Sequence, residues 1–184
     1  MNFAHHSDID LDNLDPAQSV NTERPTVLFA CIHNAGRSQL GAAYAHHLSG
    51  GSVEVLSAGS EPAKSINTLV RDVLLEDGID ISTETPKLLV PEAVKASDIV
   101  ITMGCGETCP VYPGKRYEDW DVADPAGQDL ATVREIRDGV KQRVEELLTS
   151  LDVPVQAWPQ VKCPELQAEA RLKPQQACAR ERAS

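Results

Sequence analysis

Between residues 25 and 150 the chain switches repeatedly between two hydrophobic periods, and this switching limits it to one broad architecture. Thr26-Val-Leu-Phe-Ala30 is a short apolar run, the pattern of a strand buried on both faces of a parallel sheet. Residues 38–48 then carry Leu40, Ala43, Tyr44, His47 and Leu48 at helical spacing, and Gly50-Gly51 closes that helix. Val53-Glu-Val-Leu-Ser57 reads as a second strand. Ile66, Leu69, Val70, Val73 and Leu74 recur at helical spacing up to Gly78. Pro91 to Ala96 suits a short helix with proline in its first turn. Asp98-Ile-Val-Ile-Thr102 is another buried strand, and Leu130, Val133, Ile136, Val140, Val144, Leu147 and Leu148 mark a long final helix. Such alternation specifies an α/β sandwich with a mostly parallel sheet. Ligands of these sheets bind beyond the carboxyl ends of the strands, so the residues after Ala30 and after Thr102 are where chemistry is expected.

The flanks differ from this middle. Residues 1–24 hold Asp8, Asp10, Asp12, Asp15 and Glu23 against the single basic residue Arg24. They read as an acidic amino-terminal arm, with room for a short helix around 16–22. Residues 151–184 contain Pro154, Pro159, Pro164 and Pro174 without a long apolar period, which predicts a proline-rich, loosely ordered tail. Its Cys163 and Cys178 read as incidental thiols. The domain proper is therefore expected over 25–150.

Charge and composition exclude several functions. The formal net charge is -11, which opposes bulk nucleic-acid binding and docking on anionic lipid. Aromatic residues make up 4% of the chain, too few to build stacking platforms. No apolar run approaches the roughly 18 residues of a membrane span. The acidic start has no apolar core of a secretory signal, and the 5 cysteines are an odd count, unsuited to a secreted disulfide framework. A reducing cytoplasm with free thiols is the expected setting.

Each thiol is then a question about reactivity. The first strand empties into Cys31-Ile32-His33-Asn34-Ala35-Gly36-Arg37-Ser38-Gln39, and a helix follows. A Cys-x5-Arg loop in that position can curl its N–H groups around a tetrahedral oxyanion, with the helix adding the positive end of its dipole. Arg37 can close the cradle with a bidentate fork. Cys31 lies at the bottom of this field, where a thiolate aimed at the bound central atom is an activated nucleophile. Ser38 is placed to hydrogen-bond the sulfur, and Asn34 to pin the loop backbone. The candidate binding residues are thus Ile32, His33, Asn34, Ala35, Gly36, Arg37 and Ser38.

This loop resembles the active-site loop of the low-molecular-weight protein tyrosine phosphatase superfamily. The likeness covers about residues 25–150. It includes Ser57-Ala58-Gly59, similar to the family's Ser-Ala-Gly at the second strand end, and Asp124-Pro125, similar to its late Asp-Pro carrying the general acid. The resemblance implies a three-layer α/β sandwich with a four-stranded parallel sheet. It also implies a general acid that protonates the departing oxygen; Asp121 and Asp124 are both candidates, and the proline neighbour favours Asp124.

Two branches of the superfamily share the loop: phosphatases, and arsenate reductases that pass an arsenic–sulfur adduct to a second thiol. Gln39 follows Ser38 as in the reductases, where phosphatases usually have proline. Ala126-Gly127 stands where phosphatases often carry tyrosines, and residues 57–68 include no aromatic side chain. Beyond Thr102 the chain reads Met103-Gly-Cys105-Gly-Glu-Thr-Cys109-Pro110, at the same end of the sheet as Cys31. A reductase needs thiols there and a phosphatase does not. The stretch 102–128 resembles actinobacterial reductases. The resemblance implies a Cys105 then Cys109 relay reset by thioredoxin, or an external thiol, mycothiol, with a glutaredoxin-like partner. A bridge across so short a span needs a tight turn, which Gly106 helps supply. Ordinary loop thiols, a phosphatase, and a non-enzymatic thiol oxyanion sensor are the competing readings. No metal and no bound cofactor are expected, since Cys105, Cys109 and a distant His33 are not a recognised zinc set.

Overall fold

The computed structural model describes residues 24–105 and 109–157. The expectations for the acidic arm, for the helix around 16–22, for Gly106, for Cys163 and Cys178, and for most of the proline-rich tail fall outside the described residues. In chain order the elements are β1 (Thr26–Cys31), α1 (Arg37–Ser49), β2 (Glu54–Gly59), α2 (Thr68–Glu76), α3 (Pro91–Ala96), β3 (Ile99–Thr102), β4 (Arg116–Asp119) and α4 (Leu130–Ser150). The four strands form one sheet in the order β2-β1-β3-β4, and every neighbouring pair runs parallel.

The central strand β1 explains why its sequence is continuously apolar. Successive side chains of a strand point to opposite faces, and here both faces are covered. Val27, Phe29 and Cys31 join the core made with α1, α2 and α4. Leu28 and Ala30 join a second, smaller core with Ala58, Val94 of α3, Val100, Cys105 and Cys109. The result is the three-layer α/β sandwich implied by the resemblance.

The helices follow their sequence signals. α1 buries Leu40, Tyr44 and Leu48 on successive turns and ends at Gly50, whose φ is 56°. Asn67 caps α2 by accepting from the Leu69 N–H, and Asp129 caps α4 by accepting from the Thr132 N–H. α4 buries Val133, Ile136, Val140, Val144, Leu147 and Leu148. Beyond it the chain stays attached: Val153 packs against the larger core, and the Gln156 N–H donates to the Leu48 carbonyl at 2.8 Å. β4, Arg-Tyr-Glu-Asp at the sheet edge, has no apolar run and leaves its residues exposed or half-buried.

Candidate active site

The loop from Cys31 to Arg37 is shaped by where its carbonyls go. Those of Cys31, Ile32, His33 and Ala35 accept from the N–H groups of Ser60, Glu61, Ala63 and Asn67, at 3.2, 2.8, 2.9 and 2.9 Å. The Asn34 carbonyl accepts from Gln39 Nε2 at 3.0 Å, and that of Gly36 from the Leu40 N–H of α1 at 3.0 Å. With every loop carbonyl engaged by surrounding structure, the N–H groups of Ile32, His33, Ala35 and Gly36 have no backbone acceptor among the described residues. Backbone N–H groups grouped in this way form an anion-binding concavity.

Asn34 fixes the turn. It is fully buried, and its φ of 47° lies in the left-handed region that asparagine tolerates better than most residues. Its Oδ1 accepts from Lys87 N at 2.8 Å and from Gln39 Nε2 at 3.1 Å. Its Nδ2 donates to Ser38 Oγ at 2.8 Å. Because that bond occupies a lone pair of the hydroxyl oxygen, the Ser38 hydrogen is available for Cys31 Sγ, 3.0 Å away. The Asn34 N–H also donates to Sγ, at 3.2 Å. The Asn34 N–H and Ser38 Oγ thus both lie within hydrogen-bond reach of one buried sulfur. The back of the loop admits no bulk: a β-carbon on Gly59 would lie 2.5 Å from the Ile32 carbonyl oxygen and 2.8 Å from Asn34 N. Both obstacles are backbone.

Arg37 opens α1, and its Nη2 donates to Asp124 Oδ2 at 3.0 Å. The other carboxylate oxygen of Asp124 accepts from the Ala126 N–H at 3.0 Å. Cys31, Arg37 and Asp124 therefore face one cleft of about 380 Å³, whose lining, with Ser65, Asn67 and Thr68 across from the loop, includes no Phe, Tyr or Trp. His33 also lines it, and its Nδ1 donates to the Glu61 carbonyl at 3.1 Å, because a carbonyl can only accept. Asp121 lies outside this cleft, where its carbonyl accepts from Arg143. A larger cleft of about 520 Å³ runs between β4 and α4, and it is lined by no cysteine.

Cys105 and Cys109 are not gathered with the other site residues. They follow β3 at the same end of the sheet as Cys31, yet they are buried on the α3 side, in the other core. The alternation of faces along β1 sends Cys31 toward α1, whereas the chain leaving β3 enters the α3-side core with Cys105. The two thiols are near enough to share one proton, which draws Cys105 down to about 7 and pushes Cys109 strongly upward. The pair thus loses its first proton readily and its second reluctantly. Among the described residues no cluster of three or more His, Cys, Asp or Glu side chains is arranged to hold a metal ion, and no helix is long and apolar enough to cross a membrane.

Several supports of the loop were not singled out from sequence. Lys87 and the Ser60–Asn67 segment act through backbone groups, which leave no signature in side-chain type. Gln39 had been noted only as a family marker. Gly104, two residues past β3, touches Arg37: a β-carbon there would lie 2.5 Å from Nη1.

A parallel sheet that delivers a buried cysteine into a loop whose carbonyls are engaged and whose N–H groups lack backbone acceptors among the described residues defines a class of thiol-dependent oxyanion sites. The chain belongs to the low molecular weight phosphotyrosine protein phosphatase family, whose model matches residues 26–157. It is 49% identical to a thioredoxin-dependent arsenate reductase of Corynebacterium glutamicum, with a TM-score of 0.63, over 70% of this chain and 62% of that one. The match thus spans less than two thirds of the Corynebacterium protein. A glutaredoxin arsenate reductase of Synechocystis is 35% identical over 68% of this chain and 97% of its own length. A structure of an arsenate reductase in the phosphate binding state is 34% identical, with a TM-score of 0.62, over 68% of this chain and 98% of that one.

Proposed function

We propose that the protein is an arsenate reductase that draws its electrons from thiols. One observation carries this reading: two thiols buried in the same core, Cys105 and Cys109, begin one residue after Gly104, which itself touches Arg37. A hydrolase has no use for that pair. The cleft also lacks an aromatic surface on which a phosphotyrosine ring would stack, and the relatives described above are named as arsenate reductases.

The reaction assigned to the site is as follows. Arsenate sits on the N–H groups of residues 32–38 and on Arg37. The Cys31 thiolate attacks arsenic, an As–S bond forms, and one oxygen leaves as water with a proton supplied by Asp124. The Cys105 thiolate then attacks the Cys31 sulfur. An S–S bond forms, the As–S bond breaks with its electron pair left on arsenic, and arsenite departs. Attack by Cys109 on Cys105 frees Cys31 and leaves a Cys105–Cys109 disulfide, which an external dithiol of the thioredoxin type reduces. The activity is assigned to residues 25–150, and a reducing cytoplasm is its natural setting. Because Cys105 and Cys31 lie in different cores, the segment after Thr102 must move between the first and second steps.

Peptide mass mapping after one turnover tests the scheme. The expected product is a Cys105–Cys109 disulfide, with thioredoxin and its reductase sufficient for repeated turnover. A mixed disulfide on Cys31, with Cys105 and Cys109 still alkylatable, would replace the relay by mycothiol and a glutaredoxin-like partner. Failure to make arsenite with any thiol, alongside hydrolysis of an aryl phosphate, would move the protein to the phosphatase branch.

The pH dependence has a defined sign. Only the thiolate resolves the adduct, and the first proton leaves the Cys105–Cys109 pair at about 7. The single-turnover rate of arsenite release should rise with pH through that value and then level off. A rate that is flat from mildly acidic to mildly alkaline pH would exclude this pair as the resolving thiols.

A further inference from the structure

Two independent constraints meet at Gly104. Its φ is 76°, a conformation that side chains rarely adopt. In addition, a β-carbon there would stand 2.5 Å from Arg37 Nη1 and 3.5 Å from Cζ. On its other side the same guanidinium is held by Asp124, through Nη2 at 3.0 Å. The Arg37 side chain is only 11% exposed. The planar group is therefore bracketed between a carboxylate and a bare α-carbon.

We infer that Gly104 is a positioning residue for Arg37: the absence of a side chain there sets the plane of the guanidinium and thereby the oxyanion affinity of the loop. This rests on the oxyanion reading of the site given above. The obstacle a β-carbon would meet is the tip of a flexible side chain, so the guanidinium yields and the fold does not. A displaced guanidinium loses affinity steeply, since bidentate recognition requires both N–H vectors to be aligned with two oxygens. Gly59 is the opposite case, because its neighbours are backbone atoms of the loop itself. Gly114 supplies the control. Its φ of 81° imposes the same kind of backbone cost, but nothing lies within 4 Å of its notional β-carbon.

The test is a double-mutant cycle read by inorganic phosphate affinity, measured by calorimetry and by protection of Cys31 from iodoacetamide, with thermal melting alongside. Gly104→Ala should weaken phosphate binding about tenfold or more. Gly114→Ala should lower the melting temperature and leave affinity unchanged. In an Arg37→Ala background, Gly104→Ala should alter the remaining affinity by less than about twofold, because the group it acts through is gone. In turnover, Gly104→Ala should raise KM for arsenate more than it lowers kcat. If Gly104→Ala does not fold, Gly104→Asn carries the same β-carbon at lower backbone cost and must reproduce the affinity loss. Unchanged phosphate affinity in the folded variant, or a loss that persists in full without Arg37, overturns the inference. Absence of phosphate binding by the wild-type protein overturns the oxyanion reading itself, and this inference with it.

Discussion

Cys31→Ser should abolish arsenate reduction while leaving oxyanion binding and the fold in place. The sulfur is the only atom of the loop that forms and breaks bonds in the proposed reaction, and it must also accept a second sulfur. A serine hydroxyl stays protonated near neutrality, and its oxygen cannot carry the arsenic electron pair through an S–S exchange. The side chain is buried and nearly isosteric with serine, and its donors, Asn34 N–H and Ser38 Oγ, can bond an oxygen as well. In the proposed site the anion is held by loop N–H groups and Arg37, which the change does not touch. Arsenite assay with thioredoxin or mycothiol, phosphate calorimetry and a melting curve read the three effects separately. Sustained arsenite production by the serine variant would end the mechanism. Loss of phosphate binding along with activity would instead assign the sulfur a part in shaping the loop.

Asp124→Asn should slow formation of the arsenic–sulfur bond by about 10²–10⁴, the range one general acid contributes. Asparagine keeps one acceptor oxygen, enough for Arg37 Nη2 or the Ala126 N–H but not for both; phosphate affinity should still change little, because the loop N–H groups and Arg37 supply it under the proposed reading. What is lost is the proton for the departing oxygen. The comparison is Asp121→Asn, whose residue lies outside the cleft with its carbonyl engaged by Arg143, and which should turn over like the wild type. Single-turnover measurement of Cys31 adduct formation separates the acid step from later thiol exchange. A crippled Asp121 variant beside an active Asp124 variant would reverse the assignment.

How much of this was legible in the sequence depended on the range of the interaction. β1, β2 and β3 are short apolar runs, and the four helices carry local signals: Gly50 ends α1, Asn67 and Asp129 cap α2 and α4, and Pro91 opens α3. β4 is Arg-Tyr-Glu-Asp; an edge strand needs no apolar run, so only the family resemblance supplied it. In the site, Cys31, Asn34, Arg37 and Ser38 fall within one turn-sized segment, and the Ser38–Cys31 hydrogen bond expected from their spacing is present at 3.0 Å. The carbonyls of the loop, by contrast, are satisfied by Ser60, Glu61, Ala63 and Asn67 through backbone N–H groups, which any residue type provides except proline. The burial of Cys105 and Cys109 on the α3 side depends on how β3 hands the chain over, and no spacing rule encodes that.

That separation of thiols has a consequence for life in an oxidising stress. Peroxide consumes thiolates it can reach, and a vicinal pair open to solvent would be lost as a disulfide before any substrate arrived. Cys105 and Cys109 are 4% and 8% exposed and lie behind the sheet from Cys31. As the resolving pair proposed above, they hold their reducing equivalents away from ambient oxidant and meet the adduct only when Cys105 leaves this core. Under the proposed chemistry, electron delivery waits on the passage of Cys105 from one core to the other.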